Sequence, residues 1–172
     1  EQTVADTIGV GGIFRFLRTA DEHLNFAKDM ERHCPNALML NYTNPMCMLT
    51  WLHSVGSSIE NVGLCHSVQG TTKKLAKGVG VDYGDVSYMV AGINHQAWVL
   101  RLRQGNEDLY PKLREIVDSD EAFADDRVRV EMMKQFGYFV TESTRHNAEY
   151  LPYFRRTRGL LDLYGLKPRE PV

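Results

Sequence analysis

This chain is short of several things, and each shortage excludes a class of protein. Its three cysteines, Cys34, Cys47 and Cys65, are odd in number and too scattered for a disulfide framework. That predicts a reduced, cytoplasmic protein over a secreted one. No apolar run approaches the roughly 18 residues needed to cross a bilayer, and no signal peptide is visible, so no membrane partner is expected. Neither charge dominates: 20 Lys and Arg face 22 Asp and Glu, for a net charge of −2. No basic run is long enough to serve as a nucleic-acid surface. The densest cluster, Arg155-Arg156-Thr157-Arg158, reads as a solvated loop. A starting Met is also lacking. The chain opens Glu1-Gln2-Thr3, and its first clear strand comes late, near Ala37. This predicts a piece of a longer protein. What remains is ordinary: 172 residues, 43% hydrophobic and 24% charged, enough for a sizeable core.

Residues 7–12 (Thr-Ile-Gly-Val-Gly-Gly) read as a flexible loop. They are not a dinucleotide fingerprint, because no strand precedes them and the glycine spacing is wrong. Thr19 and Asp21 are candidate caps for a helix running to about His33. Ala37 to Asn41 reads as a short buried strand, and an apolar helix to about Val55 follows Asn44-Pro45. Asn61 to Cys65 is the next strand, and Ser67 caps a helix to about Lys77. Strand, helix, strand, helix is the pattern of a parallel sheet with crossover helices.

Beyond Asp82 the pattern changes. Val86 to Ile93 and Ala97 to Leu102 read as strands joined at the Asn94-His95 corner. Val99, Arg101 and Arg103 alternate with Leu100 and Leu102, which places one face in water. Leu109 to Val117 and Ala122 to Phe136 read as helices, Phe139 to Thr141 as an extended stretch, and Glu142 to Tyr153 as a helix. From Arg155 the chain is rich in turns, with Pro168 and Pro171 near its end. The expected fold class is α/β: the C-terminal half of a doubly wound, Rossmann-like domain over residues 1–81, then part of a mixed α+β substrate domain over 82–172. Ligands of such sheets gather beyond the carboxyl ends of strands, which points to Asn41, Asn44, Cys65 and His66.

Cys65 and His95 each follow an apolar run. A thiolate and an imidazole meeting over one site would hold a divalent transition metal. A lone Cys is also a small buried hydrophobe, and a His at a strand end is often simply hydrogen-bonded. Spacing alone leaves both readings open, since two ligands 30 residues apart form no recognised zinc pattern.

Four ordered motifs go further. Asn-Tyr-Thr-Asn-Pro-Met (41–46), Gly-Leu-Cys-His-Ser-Val-Gln-Gly (63–70), Ala-Gly-Ile-Asn-His (91–95) and Gly-Tyr-Phe-Val-Thr-Glu-Ser (137–143) resemble glycoside hydrolase family 4, its α-galactosidase branch above all. That family stands apart from two-carboxylate glycosidases in using NAD. It shares its fold with lactate and malate dehydrogenases. The resemblance implies a hydrolase of α-galactosides with NAD and Mn²⁺, or another divalent metal, as cofactors. The sugar is oxidised at C3, the acidified C2 proton is removed, the glycosidic oxygen leaves by elimination, water adds, and the hydride returns.

Residue by residue, the resemblance makes Cys65 and His95 the metal ligands. It makes Asn44 a contact to sugar and nicotinamide, with Asn41 beside it on the cofactor. His66 is the implied general acid, or a sugar contact. Tyr138 is the implied base at C2, with Tyr150 and His146 as runners-up; Asn94 and His146 are candidate sugar contacts. His146, Glu149 and Tyr150 lie within about one helical turn and can face one site together. Family members are more than twice this length, and their Gly-rich dinucleotide turn has no counterpart here. This implies that the chain alone is inactive, and that the full-length protein is a homo-oligomer, a dimer or tetramer. Related readings are an α-glucosidase or α-galacturonidase of the same family. Readings outside it are a 2-hydroxy-acid dehydrogenase of the shared fold, which needs no thiolate ligand, and an inert truncated domain.

Overall fold

The computed structural model describes residues 7–117 and 121–167, with the backbone alone at Glu121 and Ala122. The expectations on Glu1-Gln2-Thr3 and on Pro168 and Pro171 lie outside the described residues. The chain forms two compact units that part between Cys65 and His66.

The first unit is built from α1 (Val10–His33), β1 (Met39–Asn41), α2 (Met46–Gly56) and β2 (Asn61–Gly63). β1 and β2 pair in parallel, Met39 opposite Asn61 and Asn41 opposite Gly63, with α2 as the crossover between them. This is the expected α/β pattern. The expected loop at residues 7–12 holds only to Gly9, since α1 starts at Val10, and the caps at Thr19 and Asp21 are corrected because α1 runs through both. Thr19 sits mid-helix because its hydroxyl donates to the Arg15 carbonyl at 3.0 Å and needs no terminal amide. Ala27 and Leu49 are fully buried where the two helices pack. Gly56 allows the close approach, since a Cβ there would lie 2.4 Å from Leu24 Cδ2. β1 is not the buried strand expected, for Leu38 and Leu40 are 53% and 61% exposed.

The second unit holds α3 (Ser67–Gly78), the hairpin β3 (Val86–Ile93) and β4 (Gln96–Gln104), then β5 (Glu107–Asp108) and α4 (Tyr110–Ile116). After a 3-10 stretch at Glu121–Asp126 come α5 (Arg127–Phe136), β6 (Phe139–Val140), α6 (Thr144–Tyr150) and α7 (Arg158–Leu163). β4 is the central strand, pairing antiparallel with β3, β5 and β6. Its core face includes Val99 and Leu102, packed with Leu75, Leu113, Phe123 and Phe139. A second cluster joins Val128, Met132, Val140, Ala148, Phe154 and Leu161.

Three expectations change here. The simple alternation along β4 fails because the register slips between Met89 and Val90. The bulge reverses the parity, so Val99 and Leu102 are both fully buried while Arg101 and Arg103 stay exposed. The Ala122–Phe136 helix is a 3-10 stretch followed by a shorter α-helix. The basic cluster is not a solvated loop: Arg155 is 7% exposed, and Arg158 opens α7.

A buried polar network fixes β6 against α3. Arg129, 6% exposed, donates through Nη2 to Thr71 Oγ1 at 2.6 Å and to the Val140 carbonyl at 2.9 Å. Its Nη1 meets Asp126 at 3.2 Å, and Lys74 meets the same carboxylate at 2.6 Å. Thr71 in turn donates to the Thr141 carbonyl at 2.5 Å. Burial pulls the Arg129 pKa down, and Asp126 opposes this.

Candidate metal centre

β2 ends at Gly63, and Cys65 is the residue by which the chain enters the second unit. His95 stands at the two-residue turn of the β3–β4 hairpin, where Ile93 faces Gln96. Its φ is +65°, the left-handed region that a non-glycine residue enters at a cost of about 1–2 kcal/mol. Such strain persists where surrounding contacts hold it, and it gathers at functional sites. Glu142 follows β6. In the second unit His95 and Glu142 meet at 3.4 Å, and Cys65, the thiol expected to join His95, ends the first unit.

The partners of these groups are ordered. Glu142 Oε2 accepts from the Ser67 hydroxyl at 2.5 Å and lies 3.4 Å from His95 Nε2. Glu142 Oε1 accepts from the Ser143 amide at 2.7 Å. This corrects Ser67 as a cap: it opens α3, and its hydroxyl reaches across to Glu142. The other His95 nitrogen, Nδ1, is 3.1 Å from the Tyr150 hydroxyl. His146 and Tyr150 are four apart on α6, so both rings share one side of it. The three rings are near parallel, with His95 and His146 centroids 5.5 Å apart and His146 and Tyr150 centroids 5.7 Å apart.

The donor set suits a divalent cation. Two ligands about 2.0–2.3 Å from one ion sit roughly 3–4.5 Å apart, a span that His95 and Glu142 meet at 3.4 Å. Thiolate and imidazole favour transition metals, and the carboxylate widens the range toward Mn²⁺. Ser67 stands behind Glu142 and Tyr150 behind His95, the kind of outer contact that orients ligands in metal sites. Beside His95, Asn94 Oδ1 and Gln96 Nε2 are buried without a hydrogen-bond partner among the described residues. Buried polar atoms are nearly always paired, so these two stand out beside His95.

Tyr138 is not brought to this group. It is 43% exposed, its ring meets Tyr110 at 5.8 Å, and it lines a recess with Arg101 and Arg103. Tyr150, its runner-up, stands at His95 instead. His66 is exposed at the start of α3. His146 Nδ1 lies 3.6 Å from the buried Glu149 carboxylate.

Asn41 and Asn44 belong to the first unit. Asn41 is buried, with its carbonyl oxygen on the Thr43 amide at 3.0 Å and its amide on Thr50 at 3.2 Å. It holds the loop after β1. Asn44 is exposed, and its Oδ1 accepts from the Met46 amide at 3.3 Å. Glu142 is the member that sequence reasoning missed. It was legible only as part of the 137–143 motif, because nothing in linear spacing pairs it with Ser67.

Residues 1–81 match the model of the family 4 glycosyl hydrolases, and residues 90–165 match that of the family 4 glycosyl hydrolase C-terminal domain. An alpha-galactosidase of Bacillus subtilis (strain 168) is 50% identical over 154 residues, 89% of this chain and 36% of its own length. An alpha-galacturonidase of Thermoanaerobacter italicus is 32% identical over 89% of this chain and 38% of its own length. This chain thus spans just over a third of these relatives. A crystal structure of the 6-phospho-beta glucosidase from Thermotoga maritima with manganese, NAD+ and glucose-6-phosphate superposes with a TM-score of 0.68. It is 21% identical and covers 92% of this chain and 37% of that one. This likeness places the fold in the Rossmann-type α/β class. Two family models that together span most of the sequence, and a half-identical relative, leave one assignment: the chain belongs to family 4 of the glycosyl hydrolases.

Proposed function

We propose that this chain carries the metal and sugar centre of an NAD- and Mn²⁺-dependent α-galactosidase. The observation that supports it most is the cluster at His95 in the second unit, where Glu142 lies 3.4 Å from its Nε2 and the Tyr150 hydroxyl 3.1 Å from its Nδ1. In this reading Cys65 and His95 hold the cation, and Glu142 borders it. Bound, the dinucleotide supplies a hydride acceptor for the sugar's C3, and the cation supplies a Lewis acid that polarises the resulting carbonyl.

The chain's own residues do the rest. Tyr150, placed by its 3.1 Å contact to His95, takes the C2 proton. His66 donates to the departing glycosidic oxygen. Asn94, with its unpaired Oδ1, accepts from a sugar hydroxyl, and His146 closes the same side. Asn41 and Asn44 border the nicotinamide. Residues 1–81 belong to the NAD-binding part and 82–172 to the substrate part. A galactoside is favoured over a galacturonide because the alpha-galactosidase relative is 50% identical and the alpha-galacturonidase 32%. The free cysteines agree with a cytoplasmic protein. Among the described residues no helix is long and apolar enough to cross a membrane. A homo-oligomeric full-length protein completes the proposal.

The test uses the full-length protein with a nitrophenyl α-galactoside, NAD⁺ and Mn²⁺. Cys65→Ser should weaken Mn²⁺ binding at least about tenfold, read by the electron paramagnetic signal of the free ion. Tyr150→Phe should slow solvent exchange at C2 by about 10²–10⁴-fold, while Tyr138→Phe stays within about threefold of wild type. Unchanged Mn²⁺ affinity in Cys65→Ser rejects the centre. A larger loss in Tyr138→Phe than in Tyr150→Phe returns the base to Tyr138.

A further inference from the structure

The recess that holds Tyr138 has a chemistry of its own. It measures about 240 Å³ and is lined by Arg101, Arg103, Arg114, Asp108, Tyr110 and Tyr138, over Leu100 and Met89. None of these residues belongs to the group at His95 and Glu142. The β-bulge at Met89/Val90 creates it, because the reversed parity turns Arg101 and Arg103 outward together.

The cations here are poorly matched. Arg103 makes no hydrogen bond or ion pair among the described residues. Among the described residues Arg101 donates only to the Met89 sulfur, at 3.6 Å. Arg114 reaches the Gly137 carbonyl at a long 3.5 Å and lies 5.4 Å from the Tyr110 ring centroid. The one carboxylate, Asp108, accepts from the Tyr110 amide at 3.1 Å. Asp108 stands opposite Arg103 in the β4–β5 register, yet no ion pair joins them among the described residues. Three guanidinium groups therefore share a concave, partly apolar surface with one engaged carboxylate. Guanidinium forks match planar and tetrahedral oxyanions, and like charges held together are relieved by a counter-ion.

We propose that this recess is a binding site for an oxyanion, a phosphate or a carboxylate, separate from the metal centre. Arg101 and Arg103 grip the anion, Arg114 closes one side, and the Tyr110 and Tyr138 rings flank the body that carries it. Nothing in this inference depends on the metal centre or on the sugar reading.

Amide NMR titration of this chain tests it, with inorganic phosphate in one arm, acetate in a second, and chloride at matched ionic strength as reference. The Arg101, Arg103 and Tyr138 amides should shift saturably, and those of His95 and Glu142 should not. Arg103→Gln should weaken binding about tenfold, the loss of one charge-assisted contact, with the remaining spectrum unchanged. Arg101→Gln with Arg103→Gln should abolish it. Tighter binding of phosphate identifies a phosphorylated ligand, and tighter binding of acetate a carboxylate. Shifts no larger than those with chloride, or binding retained in the double variant, overturn the proposal.

Discussion

The two units solve the same problem by different means. The second buries a polar lattice: Arg129, Asp126, Thr71 and Glu142 are all under 9% exposed, and their partners are other elements of that unit. The first buries mostly carbon between α1 and α2, and its most buried polar side chain among the described residues, His53, is 1% exposed. A paired polar lattice specifies where strand ends sit, to within a hydrogen bond. An apolar seam specifies only that surfaces touch. The site residues of the second unit follow that division: Glu142 belongs to the lattice, Ser67 donates to it, and His95 stands beside it.

The sharpest way to break this comparison is to remove the lattice's centre. Arg129→Leu strips Asp126 of one of its two cations and frees the Thr71 and Val140 acceptors. Cutting one partner from a buried pair costs about 3–5 kcal/mol. Hydrogen exchange should show that loss in α3, α5 and β6, with α1 and α2 unmoved. Equal loss in both units would mean that the lattice is not local to the second.

Ser67→Ala is a milder cut. It removes the hydroxyl that donates to Glu142 at 2.5 Å. A hydrogen bond to a charged group contributes about 1.5–3 kcal/mol, so denaturant unfolding of the second unit should weaken by up to that amount. Mn²⁺ affinity should fall as well, because Glu142 loses the contact that aims it. A loss of stability with unchanged Mn²⁺ affinity would separate Glu142 from the metal.

Parts of this were legible in sequence and parts were not. The strand–helix–strand order and the Asn94-His95 turn come from local pattern, and both stand. The β4 bulge does not, because a register slip belongs to two strands at once. The same holds for Glu142, whose role depends on Ser67, 75 residues away. The two tyrosines show the limit well. Tyr150 sits one turn after His146 on α6, which periodicity reveals. Tyr138 precedes a two-residue strand whose Phe139 and Val140 are both buried, and only the packing decides which way its ring turns.

The smallest expected effect comes from the first unit's imidazoles. The His53 and His23 rings lie tilted by 36°, with centroids 5.4 Å apart. Burial lowers the pKa of both below the ordinary 6.5, and for His53 the neighbouring His23 adds to the shift. A base with a depressed folded pKa binds fewer protons folded than unfolded. Stability therefore rises with pH through the window between the two values. It is whole above the unfolded value of 6.5, and it is lost as pH falls below that. Between about pH 8 and pH 5, exchange protection in α1 and α2 should decline while the lattice of the second unit holds. His53→Leu removes one imidazole and the repulsion between the two, so the decline should flatten. A slope unchanged in His53→Leu would place the pH sensitivity elsewhere in the unit, and an opposite slope in the wild type would mean that the pair is held charged.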